Sequence, residues 1–266
     1  MADNLAALRR LQHFLLDLDG TIYLGGNIIP GAAEFIQFLR DSGRRFLFFT
    51  NNSSKNARDY AKKLSAMGIA AAPEDVLSSG EATARYLMGE TPYRRVFAVG
   101  TPSFENELRD AGIAVTDSKP EAVVIGFDNT LTYAKLERAC LLLREGLTYF
   151  ATNPDKVCPT EYGYIPDCGS IAALLREATG RSPEFIGKPN PTMIRMGMLK
   201  IGATADSTAM VGDRLYTDMQ MAYNAGTASI LVLSGETKRV DLDTAERRPN
   251  YVFESVSDLR EVLCAT

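Results

Sequence analysis

Residues 14–21 read FLLDLDGT, and this stretch limits the fold more than any other. Phe14, Leu15, Leu16 and Leu18 form the kind of apolar run found in a strand buried on both faces, as in a parallel sheet covered by helices. Asp17 interrupts that run, and a carboxylate there is unfavourable unless it is paired or binds a cation. On a strand, Asp17 and Asp19 point to the same side with roughly 6 to 7 Å between their Cα atoms. At an effective dielectric near 20, two charges ~4 Å apart repel by about 4 kcal/mol, so one carboxyl is protonated or a cation sits between the two. A strand ending in a plain Asp-Gly turn is the simpler explanation of the same residues. A calcium loop of the EF-hand type fails, because its sixth and twelfth positions, counted from Asp17, hold Ile22 and Ile28 where Gly and Glu are needed.

Other stretches favour chemistry over the simple turn. Residues 45–49, RFLFF, read as a second buried strand running into Thr50, Asn51, Asn52 and Ser53. Between the two lies an amphipathic helix at 32–42 closed by Gly43, so the interval from Asp17 to Thr50 makes one βαβ unit. Its strands are parallel, and their C-terminal ends share the edge at which open α/β sheets bind ligands. Ser53 or Ser54 is placed to cap a helix over 57–67, whose free N–H groups make an anion seat; a simple helix cap is the alternative. The alternation continues with strands at 95–99, 122–126 and 147–151 and helices at 103–111, 132–145 and 171–179. Later, an apolar segment leads through Gly187 into Lys188, and another leads through Gly212 into Asp213, with Asp218 at the start of a helix over 219–225.

Composition narrows the classes further. The chain has 266 residues and is 45% hydrophobic, enough for one large core or two modest ones. Its 29 basic and 33 acidic residues leave a net charge of −4, which argues against non-specific binding to nucleic acid or an anionic membrane. Cys140, Cys158, Cys168 and Cys264 lack metal-site spacing and read as free thiols of a cytoplasmic protein. No segment has the apolar length of a membrane span or of a signal sequence. His13 is the single histidine, so it reads as structural rather than as part of a catalytic triad or a zinc site.

In order, DLDGT (17–21), TNNSS (50–54), GKP (187–189) and GDRLYTD (212–218) resemble the motifs of the haloacid dehalogenase (HAD) superfamily of phosphatases, and in detail its NagD and p-nitrophenyl-phosphatase branch. The resemblance implies an α/β fold, a doubly wound, mostly parallel Rossmann-like core (residues 1–78 and 184–266) with an inserted α/β cap (79–183). An early cap has no room between Asp19 and the helix at residue 32. The implied function is Mg²⁺-dependent hydrolysis of small phosphate monoesters (sugar phosphates, nucleotides, p-nitrophenyl phosphate) through an aspartyl-phosphate.

Phosphate monoesters are inert enough that enzymes accelerate their hydrolysis by up to ~10²¹-fold, so charge stabilisation and in-line positioning must be extensive. By the resemblance, Asp17 is the nucleophile and Asp19 the general acid and base, a role that calls for a raised pKa. Asp17, the Asp19 main-chain carbonyl and Asp213 hold the metal, with Asp218 on a metal-bound water. Thr50 and the N–H groups of Asn51 and Asn52 bind phosphoryl oxygens, and Lys188 offsets developing charge and pairs with Asp17. Arg214 is left structural. The cap contacts fall in loops 153–159 and 164–170. Cys158 is either a ligand contact or a plain buried thiol. Asp167, in place of a common glycine, either disfavours anionic substrate tails or caps a helix. Cap surfaces often serve as dimer contacts in such enzymes, which leaves room for a homodimer.

Three alternatives stand beside this reading. A phospho-accepting signalling receiver is about half as long and lacks the second aspartate two residues after the acceptor. A catalytically silent relative would not keep every chemical position filled. A phosphotransferase or mutase on the same fold differs only in the acceptor.

Overall fold

The computed structural model describes residues 2–160 and 162–265. In chain order it contains α1 (Ala2–Arg9), β1 (His13–Asp17), β2 (Tyr23–Leu24), β3 (Asn27–Ile28), α2 (Ala32–Asp41), β4 (Arg45–Thr50) and α3 (Ala57–Ala66). Next come β5 (Val76–Ser78), α4 (Ser79–Glu90), β6 (Arg95–Val99), α5 (Pro102–Asp110), β7 (Ala114–Val115), β8 (Ala122–Ile125), α6 (Tyr133–Arg144) and β9 (Thr148–Ala151). The remaining elements are β10 (Val157–Thr160), β11 (Gly163–Pro166), α7 (Cys168–Thr179), β12 (Glu184–Phe185), α8 (Pro191–Ile201), β13 (Thr208–Gly212), α9 (Gln220–Ala225), β14 (Ala228–Val232), β15 (Tyr251–Phe253) and α10 (Val256–Cys264).

The chain packs as two compact units. One runs up to Phe49, takes in Ala61–Val76 and resumes at Gly197; the other comprises Thr50–Tyr60 and Leu77–Met196.

The first unit is built on a six-stranded sheet of order β15-β14-β13-β1-β4-β5. The apolar run places β1 centrally, with β4 and β13 parallel on either side: Leu16 lies opposite Phe48 and Val211, and Asp17 opposite Phe49. Covered on both faces, Phe14, Leu15 and Leu16 are fully buried. One stripe of α2, Phe35, Ile36 and Leu39, is buried too, and Phe35 meets Phe14 edge to face at 6.3 Å. Each such side chain contributes ~1.5–3 kcal/mol on leaving water.

The second unit has its own five-stranded sheet, order β12-β9-β8-β6-β7, with all its strand pairs parallel. Phe97, Val99, Val123 and Ile125 of this sheet pack against Ala139, Leu142 and Leu143 of α6 and Ile171, Ala172 and Leu175 of α7. The doubly wound, mostly parallel α/β architecture expected from the sequence is therefore the one observed.

Two local differences have physical causes. The helix α4, whose sequence SGEATARYLMGE carries two glycines, has no clean apolar period, yet Ser78 caps it by accepting the Glu81 N–H at 2.9 Å. The expected loops around 153–159 and 164–170 contain a hairpin instead, because residues 157–160 and 163–166 pair antiparallel as β10 and β11. No helix among the described residues is long and apolar enough to cross a membrane.

Candidate active site

Asp17 is the last residue of β1, and the chain turns at once. The Leu18 carbonyl accepts N–H groups from Thr21, Ile22 and Tyr23 at 3.3, 2.9 and 3.1 Å, and Gly20 takes a φ of 86° that favours glycine. The strand therefore stops short of Asp19, and the expectation that Asp17 and Asp19 share one strand face does not hold: Asp19 is exposed, and its carboxylate lies outside the acidic group that contains Asp17.

That group is Asp17, Asp213 and Asp218, each offering a carboxylate oxygen within 4.8 Å of the others, with Asp213 and Asp218 buried. Asp213 follows directly on β13, the neighbour of β1. Its carbonyl accepts the Thr237 N–H at 3.2 Å and its Oδ2 accepts the Glu236 N–H at 2.6 Å. Asp218 does not open a regular helix, as the sequence suggested. Residues 215–219 form one π-helical turn, closed by the Met219 N–H on the Arg214 carbonyl at 3.2 Å, and only then does α9 begin. The widened turn carries Asp218 back towards β13, where its Oδ2 accepts the Arg214 N–H at 3.2 Å.

Three glycines make room for these carboxylates. A Cβ at Gly20 would lie 2.6 Å from Asp213 Cγ, one at Gly212 2.5 Å from Asp218 Oδ2, and one at Gly235 2.5 Å from Asp213 Cγ. Gly235 and Glu236 belong to the loop after β14 and carried no signal in the sequence. Arg214, read there as merely structural, is part of the electrostatics. Burial alone would lower its pKa, but the charges of Asp17 and Asp213, with Tyr216 and Glu236, raise it above the ordinary arginine value. Its Nε is 2.9 Å from Glu236 Oε2, and Glu236 Oε1 accepts the Tyr216 hydroxyl at 2.7 Å.

The donor set fits a hard divalent cation: three carboxylates, no sulfur or imidazole, and a cradle cleared of Cβ atoms.

The other expected residues gather in the second unit. Thr50 and Lys188 are buried, and Asn51 and Asn52 half-buried. The Asn52 N–H donates to Thr50 Oγ1 at 3.2 Å. Asn51 Oδ1 accepts the Lys188 N–H at 2.8 Å, and its Nδ2 donates to the Lys188 carbonyl at 3.0 Å. Neither Ser53 nor Ser54 caps α3. Ser53 Oγ accepts the Phe127 N–H at 2.9 Å and bonds Thr152 Oγ1 at 2.8 Å, while Ser54 bonds the Asn52 side chain. Asn56 is the cap, its Oδ1 accepting the Asp59 N–H at 3.1 Å.

Asp167 is buried at the N-terminus of α7 and accepts the Cys168 N–H at 2.5 Å, so of its two expected roles the structure shows the helix cap. Burial pushes its carboxyl up to about 7, and Asp155 adds to the shift. Cys158 is half-buried and accepts from Asn52 Nδ2 at 3.7 Å; all four cysteines are free thiols.

Haloacid dehalogenase-like hydrolase is the family whose model matches residues 14–114, and a HAD-hydrolase-like model matches residues 185–259. The chain belongs to the haloacid dehalogenase-like hydrolases, and within them it is a NagD-like phosphatase. A dihydroxyacetone phosphatase of Corynebacterium glutamicum is 37% identical over 248 residues, covering 93% of this chain and 90% of that protein. The crystal structure of a 4-nitrophenylphosphatase from Thermotoga maritima superposes with a TM-score of 0.92 at 44% identity, covering 96% of this chain and 98% of that one. NagD from Escherichia coli superposes with a TM-score of 0.88 at 31% identity, covering 93% and 98%.

Proposed function

We propose that the protein is a Mg²⁺-dependent phosphomonoesterase that works through an aspartyl-phosphate on Asp17. Its substrates on this reading are small phosphate esters such as sugar phosphates, nucleotides and p-nitrophenyl phosphate; the sugar phosphates and p-nitrophenyl phosphate are in keeping with relatives named acid sugar phosphatase and 4-nitrophenylphosphatase. The observation that carries the reading is the convergence of Asp17, Asp213 and Asp218 within 4.8 Å, an arrangement of like charges that calls for a cation.

Asp17, Asp213 and Asp218 would hold the Mg²⁺, with the Asp19 main-chain carbonyl as a further oxygen donor. When bound, the ion neutralises these carboxylates and the incoming phosphoryl group. Asp17 attacks phosphorus in line, and the bond to the ester oxygen breaks while Asp19 gives its proton to the leaving alkoxide. Asp19 then takes a proton from the water that attacks the aspartyl-phosphate, which releases inorganic phosphate and returns Asp17 as a carboxylate. The Thr50 hydroxyl and the N–H groups of Asn51 and Asn52 hold phosphoryl oxygens, and the Lys188 ammonium offsets charge that develops on them. The mechanism keeps residues 1–78 and 184–266 as the catalytic core and 79–183 as a cap that excludes water and selects the substrate.

The test is phosphate release from p-nitrophenyl phosphate and a panel of phosphorylated metabolites, with Mg²⁺ or a chelator, and Asp17→Asn as the blank. Hydrolysis that needs Mg²⁺ and vanishes in the blank is expected. Undiminished turnover in Asp17→Asn, or with all divalent ions removed, overturns the mechanism.

A further inference from the structure

The bonds that hold the Lys188 backbone reach a residue outside the proposed chemistry. Asn51 grips the Lys188 peptide with both ends of its amide, and the remaining Nδ2 hydrogen goes to Asp155 Oδ2 at 3.0 Å. An asparagine amide has two nearly isosteric orientations that exchange its oxygen and its NH₂. The Lys188 N–H can only donate and an ionised carboxylate can only accept, so one orientation alone satisfies both. Turned over, the amide would set its oxygen against the Asp155 carboxylate and its NH₂ against the Lys188 N–H. The Lys188 peptide already requires that orientation, and Asp155 reinforces it by anchoring the second Nδ2 hydrogen.

Asp155 is itself fixed. Its N–H donates to Asn153 Oδ1 at 2.9 Å, and its carbonyl accepts the Gly169 N–H at 2.8 Å. Gly169 lies so close beneath that a Cβ there would be 2.7 Å from the Asp155 carbonyl oxygen. Asn153 Nδ2 also donates to the Asn51 carbonyl at 2.7 Å, so the same loop holds Asn51 by backbone and side chain. On the lysine side, a Cβ at Gly187 would lie 2.6 Å from Asn51 Oδ1, so the amide rests directly on the peptide it positions.

We propose that Asp155 is a positioning residue for Lys188, acting through the Asn51 amide; the inference rests on the phosphatase reading above. The experiment compares Asp155→Ala, Asp155→Asn, Lys188→Met and both double variants with p-nitrophenyl phosphate and Mg²⁺, measuring kcat and KM separately. Asp155→Ala lowers kcat by about 10- to 100-fold, the scale of a ~1 Å misplacement of a catalytic group. Asp155→Asn, which keeps an acceptor oxygen and the shape of the loop, recovers most of that loss and serves if the alanine variant does not fold. In the Lys188→Met background the Asp155 substitutions cost under about threefold, because residues that act as a unit are not additive. Wild-type kcat in Asp155→Ala, or an undiminished loss in the Lys188→Met background, overturns the proposal while the phosphatase reading stands. An inactive wild-type protein overturns both.

Discussion

Replacing Gly235 by alanine adds one methyl group beside Asp213. Built on the existing backbone, that carbon would lie 2.5 Å from Asp213 Cγ and 2.7 Å from its Cβ. Non-bonded carbons settle at about 3.5 Å or more, so the whole Asp213 side chain, not its tip alone, must shift by about 1 Å. Gly235 is not among the glycines with positive φ, so alanine brings no backbone strain and the variant reports on the carboxylate alone. On the proposed mechanism, a displacement of that size in a metal ligand costs about 100-fold, or about 2.7 kcal/mol of transition-state stabilisation. The assay is kcat/KM for p-nitrophenyl phosphate across a Mg²⁺ titration, paired with the Mg²⁺-induced rise in thermal midpoint. Both fall in Gly235→Ala. Gly89→Ala is the control: a Cβ there meets no atom within 4 Å, and activity is unchanged. Wild-type turnover and Mg²⁺ response in Gly235→Ala would refute the view that this loop sets the position of Asp213.

Two further outcomes follow from the charges. Oxygens within 4.8 Å of one another repel by at least about 3 kcal/mol per carboxylate pair at an effective dielectric near 20, a repulsion that Arg214 offsets in part, so Asp17→Asn shrinks the rise in thermal midpoint on adding Mg²⁺. A larger Mg²⁺ shift in the variant contradicts this, and differential scanning calorimetry with and without chelator decides. Asp167 has a carboxyl raised from 3.8 to about 7, so between those values the native state holds a proton that the unfolded chain has lost. Its stabilising contribution is complete below pH 3.8 and is lost as pH rises through 7, by up to ~4 kcal/mol at 1.36 kcal/mol per pH unit. Asp167→Asn flattens that part of the stability-against-pH curve in urea unfolding; an identical slope in wild type and variant rules the shift out.

Much of the fold could be read locally, because apolar runs such as residues 14–16 and 46–49 state their own burial within a few positions. Asp17, Thr50, Lys188 and Asp213 were singled out in the sequence because each ends or follows such a run. The same reasoning ran the strand on through Asp19, since nothing in DLDGT reveals that the Leu18 carbonyl will gather three N–H groups and end the strand. It also misplaced the α3 cap, because the hydroxyl of Ser53 is claimed by Phe127 and Thr152, the latter 99 residues away.

The sequence alone determined which chemical groups the chain carries and which strands end in them, because periodicity and strand ends are encoded by neighbours. Only the tertiary structure decided how those groups are held. Gly235 is a small residue in a loop until it is seen packed on Asp213, and Asp155 is part of a turn until its bond to Asn51, 104 positions away, is in view. Which atoms meet across such distances depends on how sheets and loops stack, and a hydrogen bond between remote residues leaves no period in the sequence to be read.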